Sequence, residues 1–254
     1  MKIEFVLRDK PSLNDPIIIC GFPGAAFVGK FVLDHLISEL SAKPLAEICS
    51  DGFPPQVMIK ENGSASLMGC VLNYWKNAEG RDLILFAADA QPSTTELEYK
   101  LSESVIDFAI GEYKARELVT LGAYVTGGYS EDPQVYAAAT DLTYLSRIEQ
   151  IGCTVMSDSE ISGMNGLILG IAKLNGISGC VLLGETAGHT FDGKASEVVL
   201  KCLGKLTGMK VDLDKLKRRV GEAQEVLDAI SNAESQQGSQ RTPGSERRKP
   251  NYIS

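Results

Sequence analysis

Gly24-Ala25-Ala26-Phe27-Val28-Gly29-Lys30-Phe31 follows the phosphate-binding loop pattern G-x-x-x-x-G-K-[ST] at every place but the last. Such a loop holds phosphates with backbone N–H groups and its Lys, and ligates Mg²⁺ with its Ser or Thr. Phe31 cannot ligate a metal, and Ala25 to Val28 are apolar helix formers. Read as a helix from Ala25, the stretch puts Phe27, Val28, Phe31, Val32 and His35 on adjacent faces and turns Lys30 to solvent. It is then a tight Gly-rich strand-to-helix turn. The alternatives are a phosphate site, or another anion held at the helix N-terminus.

Two other clusters carry possible chemistry. Asp89 ends the apolar run Leu83–Ala88, where a nucleotide site would keep its Mg²⁺-holding acid. The plainer reading is that Asp89, with Gln91-Pro92-Ser93-Thr94, shapes a βα loop, with Thr94 or Thr95 capping the next helix. Glu185, His189 and Asp192 lie in Gly184–Asp192, after an apolar run, and would place an acid–base cluster at the open edge of a sheet. Against this, Asp192 is well placed to cap a helix starting near Lys194. Gly21, Phe22, Pro23 and Gly24 complete a possible ligand pocket with Asp89, Gln91, Glu185, Thr186 and His189. No nucleophile elbow, zinc-protease motif or dinucleotide fingerprint is present.

The elements that must hold these residues alternate along the chain. Strands are expected at Ile3–Leu7, Ile17–Cys20, Leu45–Cys49, Leu83–Ala88, Leu118–Leu121, Cys153–Met156 and Cys180–Leu183. Helices are expected at Ala25–Leu40, Glu96–Tyr113, Leu142–Gln150, Gly163–Leu174 and Lys194–Leu206. This alternation predicts an α/β fold with a mostly parallel sheet flanked by helices. Asn62-Gly63 between Val57–Ile59 and Leu67–Tyr74 predicts an inserted hairpin. Gly163, Gly166 and Gly170 give one helix a smooth face for close approach to the sheet or to a neighbouring subunit.

The chain has 254 residues, is 44% hydrophobic and carries a net charge of −8. That charge argues against a nucleic-acid partner. No apolar run reaches the roughly 20 residues that span a bilayer, so no membrane partner is expected. Met1–Phe5 does not resemble a signal peptide. The six cysteines form no C-x-x-C pair, and with two histidines they give no structural zinc spacing. Free thiols in a reducing cytoplasm, with no metal and no cofactor, are the expectation.

The α/β body should cover residues 1–210. Within 211–233, Leu213, Leu216, Val220, Ala223, Leu227 and Ile230 are spaced 3, 4, 3, 4, 3 amid charges. This is an amphipathic helix that either packs on its own domain or pairs with copies of itself. Residues 234–254 are polar, with Arg241, Arg247, Arg248 and Lys249 against Glu234 and Glu246, and are expected to be disordered. The end, Tyr252-Ile253-Ser254, recovers apolar character as a candidate docking motif.

Six segments in order carry a family resemblance. They are Gly21-Phe22-Pro23-Gly24 with Val28-Gly29, Asp89-Ala90-Gln91-Pro92, Leu121-Gly122-Ala123-Tyr124, Thr126-Gly127-Gly128-Tyr129, Ile161 to Leu167, and Leu182-Leu183-Gly184-Glu185-Thr186. Together they resemble the proteasome assembly chaperone family, in particular its archaeal members, over roughly Ile17 to Leu213. The resemblance implies a nucleoside-phosphorylase-like α/β fold without a demonstrated active site. It implies a homo-oligomer and proteasome α-subunits as partners. Members have also been labelled ATP-grasp-like, which keeps a nucleotide- or phosphate-binding enzyme built on the Gly21–Lys30 turn as the alternative. Proteasome-docking tails often end in a hydrophobic residue, Tyr and any residue; here Tyr252 stands one place early and Ile253 takes its position.

Overall fold

The alternating apolar runs assemble into one nine-stranded sheet in a computed structural model that describes residues 2–59, 62–188, 191–222 and 225. The strands are β1 (Ile3–Leu7), β2 (Ile17–Gly21), β3 (Lys43–Ser50), β4 (Val57–Ile59), β5 (Ala65–Leu67), β6 (Cys70–Trp75), β7 (Leu83–Ala88), β8 (Glu117–Val125), β9 (Val135–Ala139), β10 (Thr154–Val155) and β11 (Ser178–Thr186). The helices are α1 (Val28–Glu39), entered by a 3₁₀ turn at Ala25–Phe27, then α2 (Thr95–Tyr113), α3 (Leu142–Gln150), α4 (Gly163–Leu174) and α5 (Gly193–Thr207). The sheet order is β1-β3-β6-β7-β2-β8-β11-β9-β10, and β4 and β5 pair separately as a hairpin. Its second arm is Ala65–Leu67 and not the expected Leu67–Tyr74, most of which belongs to β6 between β3 and β7.

The sheet is mixed, which corrects the expectation of a mostly parallel one. Its centre, β7-β2-β8-β11, is parallel. Antiparallel pairing joins β6 to β7, β3 to β6, β1 to β3 and β9 to β11. The reason lies in chain length. The connections 76–82 and 126–134 are too short for a crossover, which takes a dozen residues or more, so β6 and β9 must run against the strands beside them in sequence.

β2 and β7 are buried along their whole length, as strands covered on both faces must be. One face carries Ile18, Cys20, Phe22 and Phe86 against Leu101, Val105 and Ile106 of α2 and Met164 and Ile168 of α4. α1 and α5 pack together, α1 on β2 and β8 and α5 on β11. Residues Met1–Leu213 form one compact unit. Separately, residues 213–222 are helical, with Leu216 buried and Leu213 and Val220 half-buried. Leu227, Ile230, Tyr252, Ile253 and Ser254, with the expected tail, lie outside the described residues.

The α5 start follows local chemistry as expected: Asp192 accepts from the Ala195 N–H at 3.0 Å. Thr94 caps α2 in the same way through the Leu97 N–H at 3.3 Å. At the opposite, N-terminal end of the parallel strands, buried Glu117 accepts from Tyr144 Oη at 2.7 Å and Arg147 Nη2 at 3.3 Å, and pairs with Arg81. Burial opposes the charge on Glu117, but these hydrogen bonds and the two guanidinium groups hold its pKa below the usual carboxylate value.

Candidate functional site

The C-terminal ends of β2, β8 and β11 open onto a cleft of about 390 Å³, the place where α/β sheets take ligands. Phe22, Gly24 and Ala25 line it from the β2–α1 turn, Gly122 and Tyr124 from β8, and Gly163 and Asn165 from the start of α4. The Tyr124 ring stacks on Tyr136 at 4.2 Å between centroids. Asn165 Oδ1 is buried in this cleft without a hydrogen-bond partner. The charged side chain lining it is Glu160; no Lys or Arg lines it among the described residues.

Gln91 closes the cleft. Its Nε2 donates to the Pro23 carbonyl at 2.6 Å, and its Oε1 accepts from the Met164 N–H at 3.1 Å. One side chain therefore joins the β2–α1 turn to the start of α4. Ser162 stands at the α4 N-cap with an extended backbone, but its hydroxyl makes no capping bond. The amide of Gln91, distant in sequence, satisfies the helix instead.

The phosphate-loop look-alike has a different job. Lys30 Nζ lies 2.6 Å from Asp34 Oδ1, an i,i+4 pair along α1. Phe31, where a Mg²⁺ ligand would stand, meets the ring of Phe191 edge-on with centroids 4.6 Å apart. Ala26 and Phe27 take left-handed backbone at φ 50° and 56°. That strained turn is tied down by Phe27 N–H to the Gly24 carbonyl at 3.1 Å and by Asp192 N–H to the Ala26 carbonyl at 3.3 Å.

The expected pocket is brought together only in part. Phe22, Gly24 and Gln91 line the cleft; Gly21 is buried behind it and Pro23 contributes its carbonyl. Asp89 faces another hollow, of about 970 Å³, beside the β4–β5 hairpin, and its Oδ2 accepts from the Gly69 N–H at 3.1 Å. Glu185 accepts from the Gln134 N–H at 3.1 Å, across the β9 side of the sheet. Thr186 is buried and donates to Asp192 Oδ2 at 2.8 Å. His189 lies outside the described residues. The separation has a simple cause: β7, β2 and β11 end in different connections, and each carboxylate is taken by a backbone N–H of a neighbouring segment, Gly69 for Asp89 and Gln134 for Glu185.

Tyr124 and Asn165 escaped the sequence-based pocket. Both sit in segments that carry the family resemblance, Leu121–Tyr124 and Ile161–Leu167, and those segments were the available signal. No group of three or more His, Cys, Asp or Glu capable of holding a metal occurs among the described residues. Among the same residues no helix is long and apolar enough to cross a membrane.

The sequence profile described as the PAC2 family matches residues 18–231. An uncharacterized protein of Methanocaldococcus jannaschii is 29% identical over 231 residues, covering 91% of this chain and 88% of its own. Among solved structures, Pyrococcus furiosus PbaB, described as an archaeal proteasome activator, is 34% identical with a TM-score of 0.81, over 90% of this chain and 98% of PbaB. Pyrococcus furiosus PbaA, described as an archaeal homolog of proteasome-assembly chaperone, shares the fold with a TM-score of 0.76 at 23% identity, over 93% of this chain and 94% of PbaA.

Proposed function

The chain belongs to the PAC2 family, and from that premise we propose that it is a proteasome-assembly-chaperone-like protein that works by binding rather than by catalysis. The observation that carries this reading is the end-to-end likeness to PbaB, 34% identical over 90% of this chain. The dispersal of Asp89 and Glu185 away from the cleft supports it, since an enzyme needs its acid and base within reach of one substrate.

In this reading the body self-associates in the cytoplasm and presents copies of its C-terminal segment to proteasome α-subunits. The stripe Leu213, Leu216, Val220, Leu227 and Ile230 would serve pairing, and Tyr252-Ile253-Ser254 docking. Several tails on one oligomer would gain strength through effective concentration. The test is co-purification of full-length chain with recombinant α-subunits at micromolar concentration, beside a chain lacking 251–254. Binding that weakens on truncation supports the tail's role. Binding that survives truncation moves the contact to the body, and no binding by either chain overturns the proposal.

A further inference from the structure

β8 outruns one of the strands beside it. Its last pair with β2 is Gly21↔Leu121, whereas its pairing with β11 continues to Val125↔Thr186. Successive residues of a strand turn their backbone N–H and C=O groups to opposite sides. The Thr126 N–H donates to the Thr186 carbonyl at 3.0 Å, so the backbone groups of Ala123 and Val125 face away from β11, toward the side that β2 has left. No strand takes that place among the described residues. Ala123 and Val125 both line the cleft at the C-terminal ends of the strands, which therefore contains a short open strand edge.

The side chains around this edge have a consistent chemistry. Asn165 Oδ1 is an acceptor buried without a partner, which costs stability until an N–H reaches it. Glu160 brings a negative charge, and no Lys or Arg lines the cleft among the described residues. An anion finds no cation here, and at the start of α4 the Met164 N–H is already held by Gln91. Phe22, Met156 and Leu183 add apolar surface.

We propose that the cleft binds a short, extended peptide through its free α-amino group and its backbone. The peptide takes the place beside β8 that β2 leaves, exchanging N–H and C=O bonds with Ala123 and Val125 as an added strand does. Its ammonium supplies the donors that Asn165 Oδ1 and the Glu160 carboxylate accept, and its side chains cover the apolar surface. At about 390 Å³ the cleft lies near the lower end of small-molecule pockets, roughly 300–1,000 Å³, with room for about two or three residues. This site is separate from the C-terminal stripe and tail assigned to partner binding, so the failure of one leaves the other standing.

The experiment is calorimetry of the full-length protein with the tripeptide amides Ala-Val-Ala and Leu-Val-Ala, their N-acetylated forms, and a longer peptide that begins with the same residues. The free tripeptides should bind, and acetylation should weaken binding roughly tenfold or more, because the charged donor is gone. Asn165→Ala and Glu160→Gln should each weaken binding by about tenfold, while the melting temperatures of the unliganded variants stay within about 2 °C of the wild type. Equal binding of the longer peptide would assign the site to the amino terminus of a chain; loss of binding on lengthening would assign it to free peptides. No binding of either tripeptide, equal binding of the acetylated forms, or full binding by both variants would overturn the proposal. Glu160 is exposed, and the acetylated peptides are read on the unaltered chain, so a folding defect in Asn165→Ala cannot obscure the result.

Discussion

Gly29 of α1 presses its backbone against the carbonyl of Leu121 in β8, so closely that a methyl group on Gly29 would lie 2.0 Å from that oxygen. Behind it, a methyl group on Gly21 would lie 2.4 Å from the Gly29 carbonyl. Backbone faces backbone across both contacts, and neither strand can move aside. Gly29, the second glycine of the phosphate-loop pattern, and Gly21 before that pattern are packing residues that seat α1 on the sheet.

Gly29→Ala should therefore destabilise the protein by about 3 kcal/mol, the cost of forcing volume into a well-packed site that cannot yield. Gly24 gives the contrast. It is extended, and its nearest non-neighbouring atoms are 3.9 Å or more from the added methyl group, so Gly24→Ala should stay within about 0.5 kcal/mol. Urea unfolding of both variants checks the pair, and similar losses in the two would contradict the packing role.

Gln91→Ala removes both the bond to Pro23 and the one that caps α4. A loss of about 1–2 kcal/mol is expected, because a helix N–H is left without its partner. Ser162→Ala should cost less than about 0.5 kcal/mol, since that hydroxyl makes no capping bond. If Ser162→Ala proved the costlier of the two, the cap would belong to Ser162 after all.

Calorimetry with ATP and Mg²⁺ should give no binding heat, and Lys30→Ala should change neither that result nor stability by more than about 0.5 kcal/mol. The prediction rests on the Lys30–Asp34 pair and on the Phe31–Phe191 contact. Saturable heat that disappears in Lys30→Ala would restore the nucleotide reading.

Glu117 has a lowered pKa in the native state, so through the acid range the unfolded chain binds more protons than the folded one. Its contribution is present above the unfolded value of about 4.3 and is lost as pH falls through the lower folded value. Glu117→Gln should lose about 3 kcal/mol at pH 7, because Arg81 and Arg147 keep their charges without the carboxylate. Its stability should then fall less steeply than the wild type's between pH 5 and pH 3. Urea melts across this range read both effects, and parallel pH slopes would count against the linkage.

What the sequence determined by itself was local. β1, β7, α3 and α4 occur at the expected residues, because period, apolar runs and turn chemistry act over a few neighbours. Thr94 and Asp192 cap the helices assigned to them for the same reason. β9 escaped, since Val135-Tyr136-Ala137-Ala138-Ala139 has little strand propensity and pairs only because β11 lies beside it. The tertiary structure alone decided strand direction, which short connections dictate once neighbours are known. It also decided the composition of the cleft. Gln91 reaches a helix 73 positions away, Asp89 turns to the hairpin side, and Gly24 to Phe31 becomes a packed turn. A motif records spacing along one segment, whereas a site depends on which other segments supply the cations, caps and walls around it.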